Sequence, residues 1–252
     1  LATRVTVQRR LGQQADEVIA LDEAPAVVEE EAAVEIAVPG NAEVGAMGAD
    51  GIGGRGTVFG QQRIGDAVGE IIEIGSKVTS FKAGDSVWYA GDLTRDASNA
   101  EFQAVDERII SLKPITVSNA EAAALPLTAI TAWEMLFDRF QISETEVGSI
   151  LIIGGAGGVG SIAIQLLKAK TNLTVIATAS REETKSWVES LGADHVIDHS
   201  KDLNVQIETL GIEKPKYVFS TNHTETYIKQ IVSLIAPQAK LGLIDDPQAF
   251  DI

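Results

Sequence analysis

Short apolar runs alternate with amphipathic stretches in the second half of the chain. Residues 150–153 read Ile-Leu-Ile-Ile and end at a glycine pair, and strand-like runs follow at 174–177, 195–198, 216–220 and 240–244. The stretches between them predict helices over 161–170, 180–191, 202–210 and 224–235. Strands that are buried on both faces read as continuous apolar runs. The pattern therefore predicts an α/β fold with a doubly wound parallel sheet, which we place at residues 119–252.

This predicted sheet stops at its fifth strand. A sheet built from two mononucleotide-binding halves has six strands. Either the chain is a fragment, or the sixth position is filled in another way.

The first half of the chain has a different pattern. Residues 64–118 form short β segments with glycine-centred turns, which predict a small β domain, and a capping box at 118–121 then opens a helix. Apolar residues spaced by two at Val34, Ile36 and Val38 indicate one earlier strand. Residues 40–60 are rich in glycine, and we assign them little structure.

A glycine-rich turn follows the run at 150–153. It fits the pattern G-x-G-x-x-G with Gly155, Ala156, Gly157, Gly158, Val159 and Gly160. In such a loop the first glycine makes a tight turn, the second lets the backbone approach a pyrophosphate, and the third lets helix and strand pack closely. The helix N-terminus then offers unpaired N–H groups to the phosphates. We interpret the motif as a dinucleotide-binding loop, with a purely structural glycine turn as the alternative.

The end of the second strand of this domain bears on the choice between NAD and NADP. An NAD site usually places an acid there to bind the ribose 2′-hydroxyl. This chain has Thr-Ala-Ser-Arg at 178–181, with no acid before Glu182. The hydroxyl of Ser180 and the guanidinium of Arg181 suit a 2′-phosphate, so we predict NADP(H). Ser180 also begins a capping box with Glu183, and the two roles can coexist.

The amino-acid composition excludes several classes of partner and of functional site. The formal net charge is −16, which repels phosphate backbones, so we expect no nucleic-acid partner. The chain has no cysteine, which excludes disulfides, iron–sulfur clusters, thiolate-bound zinc and a cysteine nucleophile. An uncharged stretch at 148–167 is long enough to cross a membrane, but its glycines favour a strand, a loop and a helix. We expect a cytoplasmic protein without a membrane partner.

Further motifs point to one protein family. They are D-A-V-G at 66–69, G-D at 84–85, Y-A-G-D-L-T-R at 89–95, A-A-A-L-P-L-T at 122–128, T-A-W-E at 131–134 and L-G-A-D-H-V-I at 191–197. With these motifs the chain resembles the medium-chain dehydrogenase/reductase superfamily, on its zinc-free quinone oxidoreductase side. It is most similar to the proteins named zinc-type alcohol dehydrogenase-like.

The resemblance implies two domains with the active site in the cleft between them. A GroES-like catalytic β domain would occupy residues 1–118, incomplete and poorly matched over 1–63. A Rossmann NADP-binding domain would occupy 119–252, without the last strand and the C-terminal return. The implied reaction is hydride transfer from NADPH to a quinone or an activated alkene or carbonyl. Since members of the family tend to form dimers, the resemblance also implies a homodimer.

The resemblance also implies roles for single residues. Residues 156–159 would meet the pyrophosphate, and Ser180 and Arg181 the 2′-phosphate. The nicotinamide end would be lined by Thr131, Thr221, Asn222, Ile244 and Asp245. A plain helix start is the alternative for Thr221 and Asn222.

Few other side chains suggest chemistry. Tyr89 ends a β segment and is a candidate catalytic donor to the acceptor oxygen, with a packed aromatic as the alternative. We interpret His195, His199 and His223 as ordinary polar residues and predict no metal site. The sequence therefore favours an NADPH-dependent, zinc-independent oxidoreductase. The alternative is a non-catalytic NADP-binding structural or interaction protein of the same fold.

Overall fold

The structure is a computed structural model, and it describes residues 6–8, 33–37, 66–91 and 102–247. The strands, in chain order, are β1 (Thr6–Gln8), β2 (Ala33–Ala37), β3 (Ala67–Ile74), β4 (Ser86–Tyr89), β5 (Phe102–Asp106), β6 (Ile110–Leu112), β7 (Ser149–Ile153), β8 (Thr174–Thr178), β9 (His195–Ile197), β10 (Tyr217–Ser220) and β11 (Lys240–Leu243). The helices are α1 (Asn119–Ala123), α2 (Pro126–Trp133), α3 (Gly158–Lys170), α4 (Glu182–Ser190), α5 (Leu203–Thr209) and α6 (Thr224–Leu234), with a 3₁₀ turn (Glu107–Ile109) and a π helix (Glu134–Arg139).

The chain divides into two compact units. One holds β1 and the chain from Ala129 onward, and the other holds β2 through Thr128. This boundary differs from the predicted one between residues 118 and 119. The difference arises because Ala122 and Ala123 of α1 are fully buried in a cluster with Val68 of β3, which places α1 with the β unit.

The α/β unit contains the predicted parallel sheet. Its strand order is β1-β11-β10-β7-β8-β9, and every neighbouring pair is parallel. The chain runs outward from β7 through β8 to β9, then returns to the other side of β7 for β10 and β11. This is the doubly wound Rossmann arrangement, as the sequence predicted.

The sixth position of this sheet is filled by β1. Thr6 pairs with Lys240 and Gln8 with Gly242, so β1 extends the edge that β11 leaves open. Of the two alternatives left by the sequence, the second therefore holds for the sheet, since its sixth position is filled in another way. An unpaired edge presents N–H and C=O groups that any extended segment of the chain can satisfy, and a segment far away in sequence does so here.

Alternate residues of β7 face two separate cores. Ile150 and Ile152 join the cluster that includes α3 and α4, while Leu151 and Ile153 join the cluster that includes α5 and α6. All four are essentially inaccessible to solvent. The continuous apolar run in the sequence thus reflects a strand with helices on both faces.

The β unit contains a five-stranded antiparallel sheet in the order β5-β2-β3-β4-β6. Val34 and Ile36 of β2 are fully buried in its core, which confirms the strand predicted from their spacing. Val38 and the glycine-rich stretch 40–60 lie outside the described residues. The capping box that opens α1 is confirmed, since Ser118 Oγ accepts the Glu121 N–H and the Glu121 carboxylate accepts the Ser118 N–H.

The uncharged stretch at 148–167 folds as the sequence predicted, into β7, a loop and most of α3. Within the described part of the chain, no helix has both the length and the apolar character that crossing a membrane requires.

Asp66, directly before β3, makes the stability of the β unit depend on pH. Its carboxylate accepts the Leu127 N–H at the start of α2, 3.2 Å from Oδ1. Burial raises the pKa of Asp66 from 3.8 to about 6, and the bond from Leu127 opposes the shift. The folded state therefore binds the Asp66 proton more tightly than the unfolded state does. As a result, the contribution of Asp66 to the free energy of unfolding falls as pH rises from about 4 to about 6.

We expect the Asp66→Asn variant to lack this pH dependence. Over that interval the free energy of unfolding of the wild type should fall by about 1–2 kcal/mol relative to the variant, a value reduced for partial solvent screening. Urea denaturation of both proteins at closely spaced pH values measures the difference. A difference that stays constant with pH would contradict the assignment.

Candidate functional site

The candidate site lies at the carboxyl ends of β7 and β10. These strands are neighbours, and the order of the sheet reverses between them. In open α/β sheets such a reversal leaves a crevice, because the loops after the two strands diverge to opposite faces. The loop after β7 is the glycine-rich loop, and the loop after β10 contains Thr221 and Asn222.

The glycine-rich loop turns tightly at Gly154. This residue has a φ of +80°, and its carbonyl oxygen accepts the Gly157 N–H at 3.0 Å. The sequence motif assigned the tight turn to Gly155, but the left-handed conformation falls one residue earlier. The sequence has glycine at both 154 and 155, which indicated a tight turn. The six-residue pattern begins at Gly155 and therefore leaves Gly154 out.

Two other glycines are required by close packing. A Cβ on Gly160 would lie 2.8 Å from Gly155 Cα and would overlap the Gly154 carbonyl oxygen. A Cβ on Gly155 would lie 2.8 Å from the Ala177 Cβ of β8. The first turn of α3 is thus pressed against its own loop, and the loop against the neighbouring strand, as expected of a dinucleotide-binding loop.

The start of α3 has no side-chain cap. Gly157 is the N-cap residue and provides no side-chain cap, so the first N–H groups of the helix are left without that partner. Val159 is buried in the core, whereas Gly157 is exposed and Ala156 and Gly158 are half-buried. The N–H groups of Gly158 and Val159, at the positive end of the helix dipole, are therefore available to an anion, whereas the Gly157 N–H already donates to the Gly154 carbonyl oxygen.

Three polar side chains that the sequence analysis did not single out support this loop. Thr178 Oγ1, at the buried end of β8, accepts the Gly154 N–H at 3.0 Å. Trp187 Nε1 of α4 donates to Ser161 Oγ of α3 at 2.9 Å. The hydroxyl of Thr178, which ends a strand after three apolar residues, could have indicated its role from the sequence. No local sequence pattern predicts the contact between Trp187 and Ser161.

The residues that follow β8 depart from one prediction. The capping box from Ser180 to Glu183 was wrong, because α4 begins at Glu182 and its N-cap residue is Arg181, with no side-chain cap. Ser180 stands one position too early to serve as the cap. The Ser180 side chain is half-buried, and the Arg181 side chain is exposed.

The turn after β10 lies against the glycine-rich loop. Both the N–H and the Oγ1 of Thr221 donate to the Ile153 carbonyl oxygen, at 3.1 and 2.9 Å. A Cβ on Gly154 would lie 2.8 Å from Asn222 Oδ1. The structure therefore brings Thr221 and Asn222 to the glycine-rich loop, and the N-cap of α6 falls on His223, not on either of them.

Comparison with known proteins agrees with this geometry. A family model described as zinc-binding dehydrogenase matches residues 158–245. A zinc-type alcohol dehydrogenase-like protein from Staphylococcus aureus strain MSSA476 is 47% identical over 190 residues, which are 74% of this chain and 56% of that protein. The chain thus spans little more than half the length of such relatives.

Two solved structures have the same fold over most of the chain. A Rhizobium etli CFN 42 protein, named for zinc-dependent alcohol dehydrogenases, is 49% identical, with a TM-score of 0.78 over 87% of this chain and 65% of that chain. A Pseudomonas syringae quinone oxidoreductase is 26% identical, with a TM-score of 0.67 over 89% of this chain and 67% of that chain. The family model, the relative and both structures support the medium-chain dehydrogenase/reductase superfamily as the family of this chain.

Zinc is the metal that the names of these superfamily members imply, and the residues of this chain do not fit it. The sequence has no cysteine, and its three histidines all fall in the described part of the α/β unit. Among the described residues, no three His, Asp or Glu side chains are grouped to share a metal ion. Dehydrogenase zinc sites use cysteine and histidine ligands, and that set is not available here.

Ile244 and Asp245 were also expected to line the nicotinamide end. Ile244 is half-buried, and its N–H donates to the Ser220 carbonyl oxygen at 3.3 Å. The Asp245 carboxylate accepts the N–H of Thr224 at 2.8 Å and its hydroxyl at 2.6 Å. Asp245 therefore binds the first turn of α6, whereas we expected it to line the nicotinamide end.

Thr131 and Tyr89 are both buried. Thr131 lies in α2, within the α/β unit. Tyr89 ends β4 in the core of the β unit, where its hydroxyl donates to Gln103 Oε1 at 2.6 Å and burial raises the pKa of the phenol above its usual range. This environment favours the packed-aromatic interpretation of Tyr89. The catalytic role of Tyr89 and the place of Thr131 near the nicotinamide stay predictions.

Proposed function

We propose that this chain is the cofactor-binding part of an NADPH-dependent, zinc-independent oxidoreductase. Its acceptor would be a quinone or an activated alkene or carbonyl. The observation that carries the proposal is the glycine-rich loop, whose Gly160 admits no side chain and whose helix N-terminus has no side-chain cap. The bound nicotinamide would supply a hydride, the acceptor would take that hydride and a proton, and the oxidised cofactor would leave.

The chain's own residues would hold the cofactor at three places. The N–H groups at the start of α3 suit the pyrophosphate, and the half-buried Ser180 and exposed Arg181 after β8 suit a 2′-phosphate. The turn after β10 places the Asn222 amide beside Gly154, where the nicotinamide end would extend from the loop. No acid occupies the position after β8, which supports NADP over NAD.

The choice of acceptor and the independence from zinc rest on different observations. The chain has no cysteine, and its histidines do not form a metal site. Quinone reduction is the named activity of the Pseudomonas syringae structure, which is similar to this chain over most of its length. A nicotinamide cofactor brings the redox chemistry with it, so the protein needs to supply only position and electrostatics.

The proposal predicts NADPH oxidation that persists in a metal chelator. The experiment follows NADPH absorbance with a panel of quinones, enones and aldehydes, with and without EDTA, and compares NADH as donor. We expect turnover of at least one quinone or enone, a preference for NADPH, and rates that EDTA changes by less than about twofold.

Two results would overturn the proposal. Loss of activity in EDTA with recovery on adding zinc would contradict independence from zinc. NADPH binding without turnover of any acceptor would favour the non-catalytic alternative.

A further inference from the structure

The turn after β10 contains a backbone conformation that needs an explanation. His223 has φ 51° and ψ 33°, which is the left-handed region. A residue with a side chain is disfavoured there, and such conformations persist only where the surroundings enforce them. His223 is exposed and makes no side-chain cap, so its own side chain does not explain the conformation.

A buried hydrogen-bond network lies directly after this residue. Both oxygens of the Asp245 carboxylate are used by Thr224, one for its N–H and one for its hydroxyl. Ser220 Oγ lies 2.7 Å from Thr224 Oγ1, and both residues are completely buried. Since a carboxylate only accepts, Thr224 donates its hydroxyl to Asp245, and Ser220 then donates to Thr224.

The network and the glycine-rich loop fix the turn at its two ends. Thr221 is bonded through its N–H and its Oγ1 to the carbonyl oxygen that ends β7. Thr224 is bonded to Asp245, which follows β11. Residues 221–223 must bridge these two points, and the left-handed His223 is the residue that lets them do so with Asn222 beside Gly154.

We propose that Asp245 is a positioning residue for the nicotinamide half of the cofactor. Through Thr224 it holds residues 221–223 in the strained conformation that places the Asn222 amide for the nicotinamide carboxamide. We assign Asp245 a role through Thr224 and not a direct contact with the cofactor, because each of its oxygens accepts a hydrogen bond from Thr224. This inference rests on the proposed function.

The test separates the two halves of the cofactor. Calorimetry measures the affinity for NADPH and for adenosine 2′,5′-bisphosphate, which lacks the nicotinamide half. For Asp245→Ala and Thr224→Val we expect about fivefold to tenfold weaker NADPH binding, as the loss of a positioning hydrogen bond implies. The affinity for the bisphosphate should change by less than about twofold.

The conservative variants Asp245→Asn and Thr224→Ser should retain NADPH affinity within about twofold. In Asp245→Asn the amide oxygen accepts the Thr224 N–H and the amide nitrogen donates to Thr224 Oγ1. The Thr224 hydroxyl then donates to Ser220, so the network survives with two of its bonds reversed. A role that depends only on the charge of Asp245 would not be rescued in this way.

Backbone strain is tested with a matched pair of glycine variants. His223→Gly and Gln238→Gly both place glycine at a left-handed position, since Gln238 has φ 64° in the turn before β11, at the amino end of the strand. Both should raise the melting temperature by about 2–4 °C. Only His223→Gly should weaken NADPH binding, because it lets residues 221–223 leave the enforced conformation.

The outcomes distinguish this inference from the proposed function. If the wild type binds neither NADPH nor the bisphosphate, the proposed function fails, and the positioning role fails with it. If the wild type binds NADPH, but Asp245→Ala and Thr224→Val leave that affinity unchanged or weaken both ligands equally, only the positioning role is overturned.

Discussion

Replacing Gly160 with alanine is expected to lower the free energy of unfolding by about 2–3 kcal/mol and to abolish nucleotide binding. The new Cβ would lie 2.8 Å from Gly155 Cα and would overlap the Gly154 carbonyl oxygen. Both contacts are with backbone, which cannot rotate away as a side chain can. The first turn of α3 must therefore separate from the loop that holds the phosphates. Urea denaturation and calorimetry with NADPH measure the two effects.

Gly157→Ala is the matched control for this variant. A Cβ there would lie 3.3 Å from the Gly154 carbonyl oxygen, and the residue is exposed. We expect a loss of stability below about 1 kcal/mol, yet much weaker NADPH binding, since the methyl group would occupy the side from which the pyrophosphate approaches. A Gly160→Ala protein as stable as the wild type would show that α3 does not pack on the loop as described.

The Arg181→Ala variant should lose NADPH affinity by about 10- to 100-fold while its affinity for NADH stays within about twofold. The expected loss corresponds to removing charged hydrogen bonds to a phosphate. Arg181 is exposed at the start of α4 and does not cap that helix, so the substitution should leave the fold intact. Parallel titrations with NADPH and NADH give the comparison.

Lys214→Ala provides the control for net charge. Lys214 is also exposed, but it precedes β10 and so lies at the amino end of the strand, opposite the candidate site. Its removal should change neither affinity by more than about twofold. Equal losses of NADPH and NADH affinity in Arg181→Ala would show that the guanidinium does not read the 2′-phosphate.

The strands and helices of both units were predictable where their signals are local. Ile150 to Ile153 lie in β7, which has helices on both faces. Because both faces of the strand are buried, its residues form an uninterrupted apolar run. Ser118 and Glu121 are three residues apart, so their capping box needs only the first turn of the helix. Ser180 and Glu183 have the same spacing, but the helix begins one residue later than that pattern requires.

The candidate site was predictable only in part. The glycine motif gave the position of the glycine-rich loop, since strand, turn and helix are consecutive in the chain. It missed the left-handed Gly154, because φ is set by the path of the loop and not by the spacing of the glycines. Thr178 reaches this loop from β8, and Trp187 of α4 reaches Ser161 of α3, and no local pattern predicts such contacts.

The sequence by itself determined the parallel α/β architecture, the position of the glycine-rich loop, and the absence of the cysteines that a dehydrogenase zinc site needs. The tertiary structure decided that β1 completes the sheet beside β11 and that Asp245 binds Thr224 across 21 residues of chain. The physical reason is the range of the interactions. Periodicity, caps and glycine turns act over a few residues, whereas strand pairing and buried networks join segments that only the folded chain brings together.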